Sequence, residues 1–253
     1  MKKSAKASAI IIILLFLYLS GTGVIKESTY SPVQTVRDTI STMAIDTTRD
    51  GLIVYYPKFS RIDLVCETMP SPEKDTTGIF CCAASFTSDT LKAFSHLKIA
   101  GDHVSSGERY KGYRCERNTG AFVFYDNNWK FLYDEYSSEL DSAKTHGGMG
   151  FGQEMIIHQG KIVRHTRPDN SINLFRALCD IDGQLCIADA KEEGTFGSFI
   201  NYLMGGGVSE ALYLDMGIGW NCSWARTSLP GEGLYIHLQA HTYTTNWITF
   251  YYE

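Results

Sequence analysis

Little of this sequence is long and apolar, basic or repetitive, and each shortage removes a class of protein. The extended apolar run, Ala7 to Leu19, is about 13 residues, whereas roughly 20 are needed to cross a bilayer as a helix. No other stretch comes near that length, so no membrane span is expected once the N-terminal run is removed. Lys and Arg number 23 against 28 Asp and Glu, a net charge of -5. That balance argues against broad binding to nucleic acid or anionic lipid and leaves room for a local basic pocket for one phosphate. No C-x-x-C pair or Cys/His cluster with zinc spacing is present, which argues against a structural zinc site, and no metal ligands are assigned. The P-loop ending G-K-[ST], the strand–G-x-G-x-x-G–helix order and the G-x-S-x-G elbow are all missing. The familiar nucleotide and serine-hydrolase readings therefore fail, and no cofactor is expected. No repeat of solenoid or propeller period is visible.

What is present is enough for one sizeable core or two small ones: 253 residues, 44% hydrophobic and 13% aromatic, which excludes disorder. The start reads as a secretory signal over residues 1–23. Lys2, Lys3 and Lys6 precede the apolar run, and Ser20-Gly21-Thr22-Gly23 supplies small residues for cleavage. Cleavage there leaves 20 basic against 28 acidic residues, since 23 − 3 = 20, for a balance of -8. The mature protein is expected in the periplasm, cell envelope or medium, and no cysteine follows the small residues to carry a lipid. Residues 24–50, rich in Ser, Thr and Asp, read as a tether, and 51–253 as the folded domain. Seven cysteines cannot all pair within the chain. In C-D-I-D-G-Q-L-C, the two-residue turn Asp182-Gly183 sets Cys179 opposite Cys186, as a disulfide or as two small buried apolar groups.

From Gly51 onward strand patterns dominate: LIVYY, RIDLVCE, a continuous apolar GIFCCAASF, and hairpins about Asp126-Asn127-Asn128, Gln159-Gly160 and Asp182-Gly183. One helix is clear. Thr195 caps a segment with Phe196, Phe199, Ile200 and Leu203 on one face, and Gly205-Gly206-Gly207 stops it. A second is expected around Thr87 to Leu97. EALYLD, LYIHLQAH and WITFYYE read as further strands. The expected fold class is α+β: mixed, mostly antiparallel sheet of hairpins with a few helices.

Three glycine-rich stretches flank ionisable groups, at 100–107, 146–154 and 214–226. The third is the most informative. An apolar strand delivers Asp215 to a turn loosened by Gly217 and Gly219, followed by Trp220, Asn221 and Trp224. A carboxylate at a sheet end beside aromatic planes suits a sugar site; the plainer alternative is that Asp215 caps its own turn and the tryptophans are core. Likewise His103 and His146 could be loop histidines, Glu154 a solvated strand end and Arg176 half of a surface ion pair. The sequon Asn221-Cys222-Ser223 is read as accidental.

A-L-Y-L-D-M-G-I-G resembles the L-D-G-G-x-S signature of the phosphodiester glycosidase family. Upstream, Q-E-M-I-I-H-Q-G-K-I-V, Arg176-Ala177 with the 182–187 hairpin, and the helix from Thr195 are similar to the family's elements in its order, over roughly residues 76–226. Arg176, Asp215 and Gly217 match; Met216 and Gly219 replace a signature glycine and serine, and C-C-A-A-S-F-T offers no counterpart to the family's N-G-x-F asparagine. The resemblance implies hydrolysis of a sugar-1-phosphodiester or related glycan, and the departures imply a changed substrate or lost hydrolysis, leaving an inactive carbohydrate-binding envelope protein as the alternative. On it rest the catalytic candidates Asp215, Arg176, Glu154 and His103, with Asp102, His146, Gln153, Gly217, Trp220 and Asn221 toward substrate. Arg176 would hold phosphate through its bidentate fork, and Asp215 beside it in one cleft would stay ionised at neutral pH.

Overall fold

The computed structural model describes residues 38–88, 93–134, 137–217, 221–237 and 244–253. The expected signal and most of the tether lie outside them, as do Trp220 and the centre of the helix expected around Thr87 to Leu97. Of that helix's described flank, His96–Lys98 forms a 3-10 turn capped by Ser95. The compact unit begins at Asp38, ahead of the Gly51 boundary, because Met43–Asp46 pairs antiparallel with Leu52–Pro57. Its four residues are too few to show a period among the surrounding Ser, Thr and Asp.

Strand accounts for 47% and helix for 10%, with two α-helices among the described residues. The α+β expectation is therefore corrected to a β-rich, mostly antiparallel fold. The reason is local. Runs of aromatic and β-branched residues alternate with turns whose φ is positive at two successive residues, Ser106-Gly107, Asp126-Asn127, Gln159-Gly160 and Asp182-Gly183. Such turns match the right-handed twist of the strands they join. Little sequence remains for helix: Glu139–Thr145, and Phe196–Gly205, where Thr195 Oγ1 accepts from Ser198 N at 3.1 Å.

A seven-stranded sheet has the order Lys161–Ile162, Met155–His158, Val208–Leu214, Arg176–Ile181, Gln184–Ala190, Leu52–Pro57, Met43–Asp46. One five-stranded sheet runs Leu234–Tyr235, Ser223–Ala225, Gly78–Ala83, Thr245–Tyr251, Arg61–Glu67. The other runs Glu108–Tyr110, His103–Ser105, Met149–Gln153, Gly120–Tyr125, Asn128–Leu132. All three give side chains to one core, including Leu178, Leu212 and Leu214 from the first, Phe80 and Phe250 from the second, and Phe122 and Phe151 from the third. The opposite face of the seven-stranded sheet is covered by Phe196, Phe199, Ile200 and Leu203 of the helix, packed on Ala177, Cys179, Ala211 and Tyr213. The pleat thus sorts odd and even positions of 176–181 and 208–214 to different sides, and that sorting decides where the candidate site residues go.

Candidate functional site

The strand Val208–Leu214 delivers Asp215 buried, at 5% exposure. Asp215 N donates to Ala84 O at 3.1 Å, and Gln153 Nε2 donates to the same carbonyl at 2.9 Å. Gln153 Oε1 accepts from Glu154 N at 2.8 Å, while Glu154 O accepts from Tyr213 N at 2.9 Å. One backbone carbonyl and one side-chain amide therefore hold Gln153, Glu154 and Asp215 together where strands of two sheets end.

The cation here is Arg167. Its Nη2 lies 3.4 Å from Glu154 Oε2, and its guanidinium carbon is 4.4 Å from the Tyr213 ring centroid and 5.1 Å from that of Phe196. The rings of Phe175 and Phe86 lie at 5.9 and 6.0 Å. A guanidinium enclosed by aromatic faces is held partly by ring quadrupoles and loses little to water. Two atoms of this cluster, Glu154 Oε1 and Arg167 Nε, are buried without a hydrogen-bond partner among the described residues. Burial pushes the Asp215 carboxyl up to about 7, against the lowering effect of the Gly217 N–H, which donates to Asp215 Oδ1 at 3.0 Å, and of the Arg167 charge. Burial raises the Tyr213 phenol as well, and that of Tyr113 to about 12, with Cys115 and the Asp215 charge adding to the latter.

Arg176 sits elsewhere. It pairs across the sheet with Leu214, so the following residue, Asp215, belongs by alternation to the other side. Its Nε and Nη2 donate to Asp189 Oδ1 and Oδ2 at 2.5 and 2.6 Å, a bidentate ion pair buried in the shared core, with His237 Nε2 3.5 Å from Asp189 Oδ2. The expectation that Arg176 and Asp215 share a cleft, and that Arg176 keeps Asp215 ionised, is overturned by this register: Asp215 is raised by burial, and the charge near it is Arg167.

The remaining candidates divide. Gly217 supplies the backbone donor to Asp215. Asp102 Oδ2 accepts from Arg109 Nη2 at 2.8 Å, in an ion pair that also links Arg109 to Asp141. His146 is exposed and faces Asp126 Oδ2 at 2.6 Å. Fully buried His103 contacts His96 rather than Glu154, with Nε2 2.9 Å from His96 Nδ1, and burial pushes it down to about 4. Asn221 is half-buried, its Oδ1 without a hydrogen-bond partner among the described residues. Trp224 is core, donating from Nε1 to Pro70 O at 2.8 Å. Cys179 and Cys186 stand in the expected register as thiols, without a disulfide between them, and Cys186 Sγ contacts Cys179 O at 3.6 Å.

Sequence reasoning missed Arg167 and Asp189. Arg167 lies in an irregular stretch with no period to mark it. Asp189 did carry a signal, because the register that sets Cys179 opposite Cys186 also sets Arg176 opposite Asp189.

The fold is shared with solved structures. The structure is similar to the pro-peptide-auto-inhibited catalytic domain of zebrafish N-acetylglucosamine-1-phosphodiester alpha-N-acetylglucosaminidase, at TM-score 0.56 and 8% identity, covering 85% of this chain and 83% of that one. It is also similar to a hypothetical protein from Synechocystis, at TM-score 0.51 and 12% identity, covering 83% of this chain and 61% of that one. The sequence matches no family model and none of the curated proteins. At these identities the likeness is one of fold.

Proposed function

We propose that this chain is an exported glycosidase-like hydrolase that cleaves a sugar-1-phosphodiester or a related glycan, with Glu154, Arg167 and Asp215 as its working groups. The observation that carries the reading is the buried cluster itself: a carboxylate and a guanidinium, each with an unsatisfied polar atom, beside a carboxyl whose pKa is pushed up to about 7. A protonated Asp215 serves proton transfer better than charge stabilisation, reversing the role first expected of it. Glu154 is the anion available to an oxocarbenium-like centre. Arg167 keeps its Nε–H for a phosphate oxygen and takes the role first given to Arg176. A fold shared with a domain that acts on N-acetylglucosamine-1-phosphodiesters supports the substrate class. The export signal over 1–23 belongs to the same reading, and among the described residues no helix is long and apolar enough to cross a membrane.

The test is release of free sugar from a panel of sugar-1-phosphodiesters by the purified chain. Turnover is expected, and Asp215→Asn should lower kcat by about 100-fold or more, within the range for loss of a positioned acid–base group. No release from any member of the panel refutes the hydrolase reading. Glycan binding without turnover would establish the inactive carbohydrate-binding alternative instead.

A further inference from the structure

Away from the Glu154 cluster, three side chains from separate elements bring donor atoms together. Cys66 lies on the strand Arg61–Glu67, His103 opens the strand His103–Ser105, and His96 begins the 3-10 turn His96–Lys98. The sulfur and the imidazole nitrogens all lie within 4.8 Å of one another. We propose that Cys66, His96 and His103 form a binding site for a borderline-soft transition-metal ion of the zinc type, with one coordination position open to the adjoining cavity.

The geometry is arranged for this. His103 Nδ1 faces Gly101 O at 3.3 Å and carries the ring proton, so the Nε2 lone pair points toward His96 Nδ1, 2.9 Å away. A backbone carbonyl that accepts from the other ring nitrogen commonly fixes the tautomer and orientation of a ligating histidine. The His96 ring lies flat on Tyr110 at 3.5 Å between centroids and 2° between planes, and Tyr110 is the cross-strand partner of His103. One tyrosine thus orients the two imidazoles against each other. A hydrogen-bonded imidazole pair needs no third donor, but Cys66 supplies one. A thiolate with two imidazoles matches zinc, cobalt or copper rather than magnesium or calcium. A cavity of about 260 Å³, lined in part by Cys66, His96, Ser105, Tyr110 and Gly148, adjoins two of the three donors and gives the ion an entry path and a fourth, non-protein ligand. On binding, the proton between the imidazoles moves to His96 Nε2 and the Cys66 thiol proton leaves to solvent, so each divalent ion releases one proton. No zinc-type spacing announces the site, because its ligands meet only when two sheets pack.

The full chain, purified reduced and metal-free, is titrated with Co²⁺ and then Zn²⁺. Expected are one ion per chain, a thiolate-to-cobalt charge-transfer band in the near ultraviolet, its loss on Zn²⁺ addition, and release of about one proton per ion. Cys66→Ser should abolish the band and His96→Ala should weaken Zn²⁺ binding by more than about 100-fold, beyond the usual cost of an outer-shell change. Cys115→Ser should leave both unchanged. Circular dichroism and a cooperative melt check that each variant folds. For any that does not, X-ray absorption at the zinc edge of the wild-type complex decides, one sulfur and two imidazole nitrogens being required. Absence of the band from the wild type, its persistence in Cys66→Ser, or a zinc shell without sulfur would overturn the site.

Discussion

Replacing Asp215 with Asn should remove a pH dependence from the protein's stability. The carboxyl is 5% exposed, and burial lifts it from an ordinary 3.8 to about 7. Between those values the folded state holds a proton that the unfolded state has released, so stability falls as pH rises. The contribution is fully present below about pH 4 and is lost as pH climbs through 7. The gap between 3.8 and about 7 corresponds to about 4 kcal/mol over the full window, of which about 2 to 3 kcal/mol falls between pH 5 and pH 7. Asn is neutral throughout, and its side-chain oxygen can still accept from Gly217 N, as Asp215 Oδ1 does at 3.0 Å. Every other titrating group is common to both proteins. The difference between their urea-unfolding free energies, followed by tryptophan fluorescence at intervals from pH 4 to pH 8, therefore isolates this one carboxyl. Wild type should lose ground to the variant steadily up to pH 7 and then hold level. A difference that stays constant across the window would mean that Asp215 is ionised in the folded protein, and its assignment to proton transfer would fall with it.

Two further expectations concern the scaffold. Asp189→Asn leaves the Arg176 guanidinium buried without its carboxylate, which should cost about 3 to 5 kcal/mol in urea unfolding, and a loss below about 1 kcal/mol would mean that water replaces the partner. Thr195→Ala removes the cap on Ser198 N and should cost about 1 kcal/mol by the same measurement, with the change in melting temperature as a second reading.

Local chemistry made part of this fold legible. The turns at Asp126-Asn127, Gln159-Gly160 and Asp182-Gly183 need residues that tolerate positive φ, and the helix from Phe196 needs its cap and apolar stripe; all stand where the sequence puts them. What failed was inference across distance. Arg176 and Asp215 were placed in one cleft by chain order, whereas the pleat separates them once Arg176 is set opposite Leu214. Arg167 was invisible because nothing in an irregular segment reveals that four aromatic rings will close around it. His103 was valued as a lone ionisable group in a glycine-rich stretch, and its contacts with His96 and its closeness to Cys66 exist only between packed elements.

The strand Thr245–Tyr251 lies between Gly78–Ala83 and Arg61–Glu67, fully buried, with Tyr251 opposite Arg61. A ribosome must therefore have made residue 251 before either neighbour can be paired on that side. Until then both expose open edges and the shared core lacks Ile248 and Phe250. Closure between such distant segments is slow relative to formation of the local hairpins.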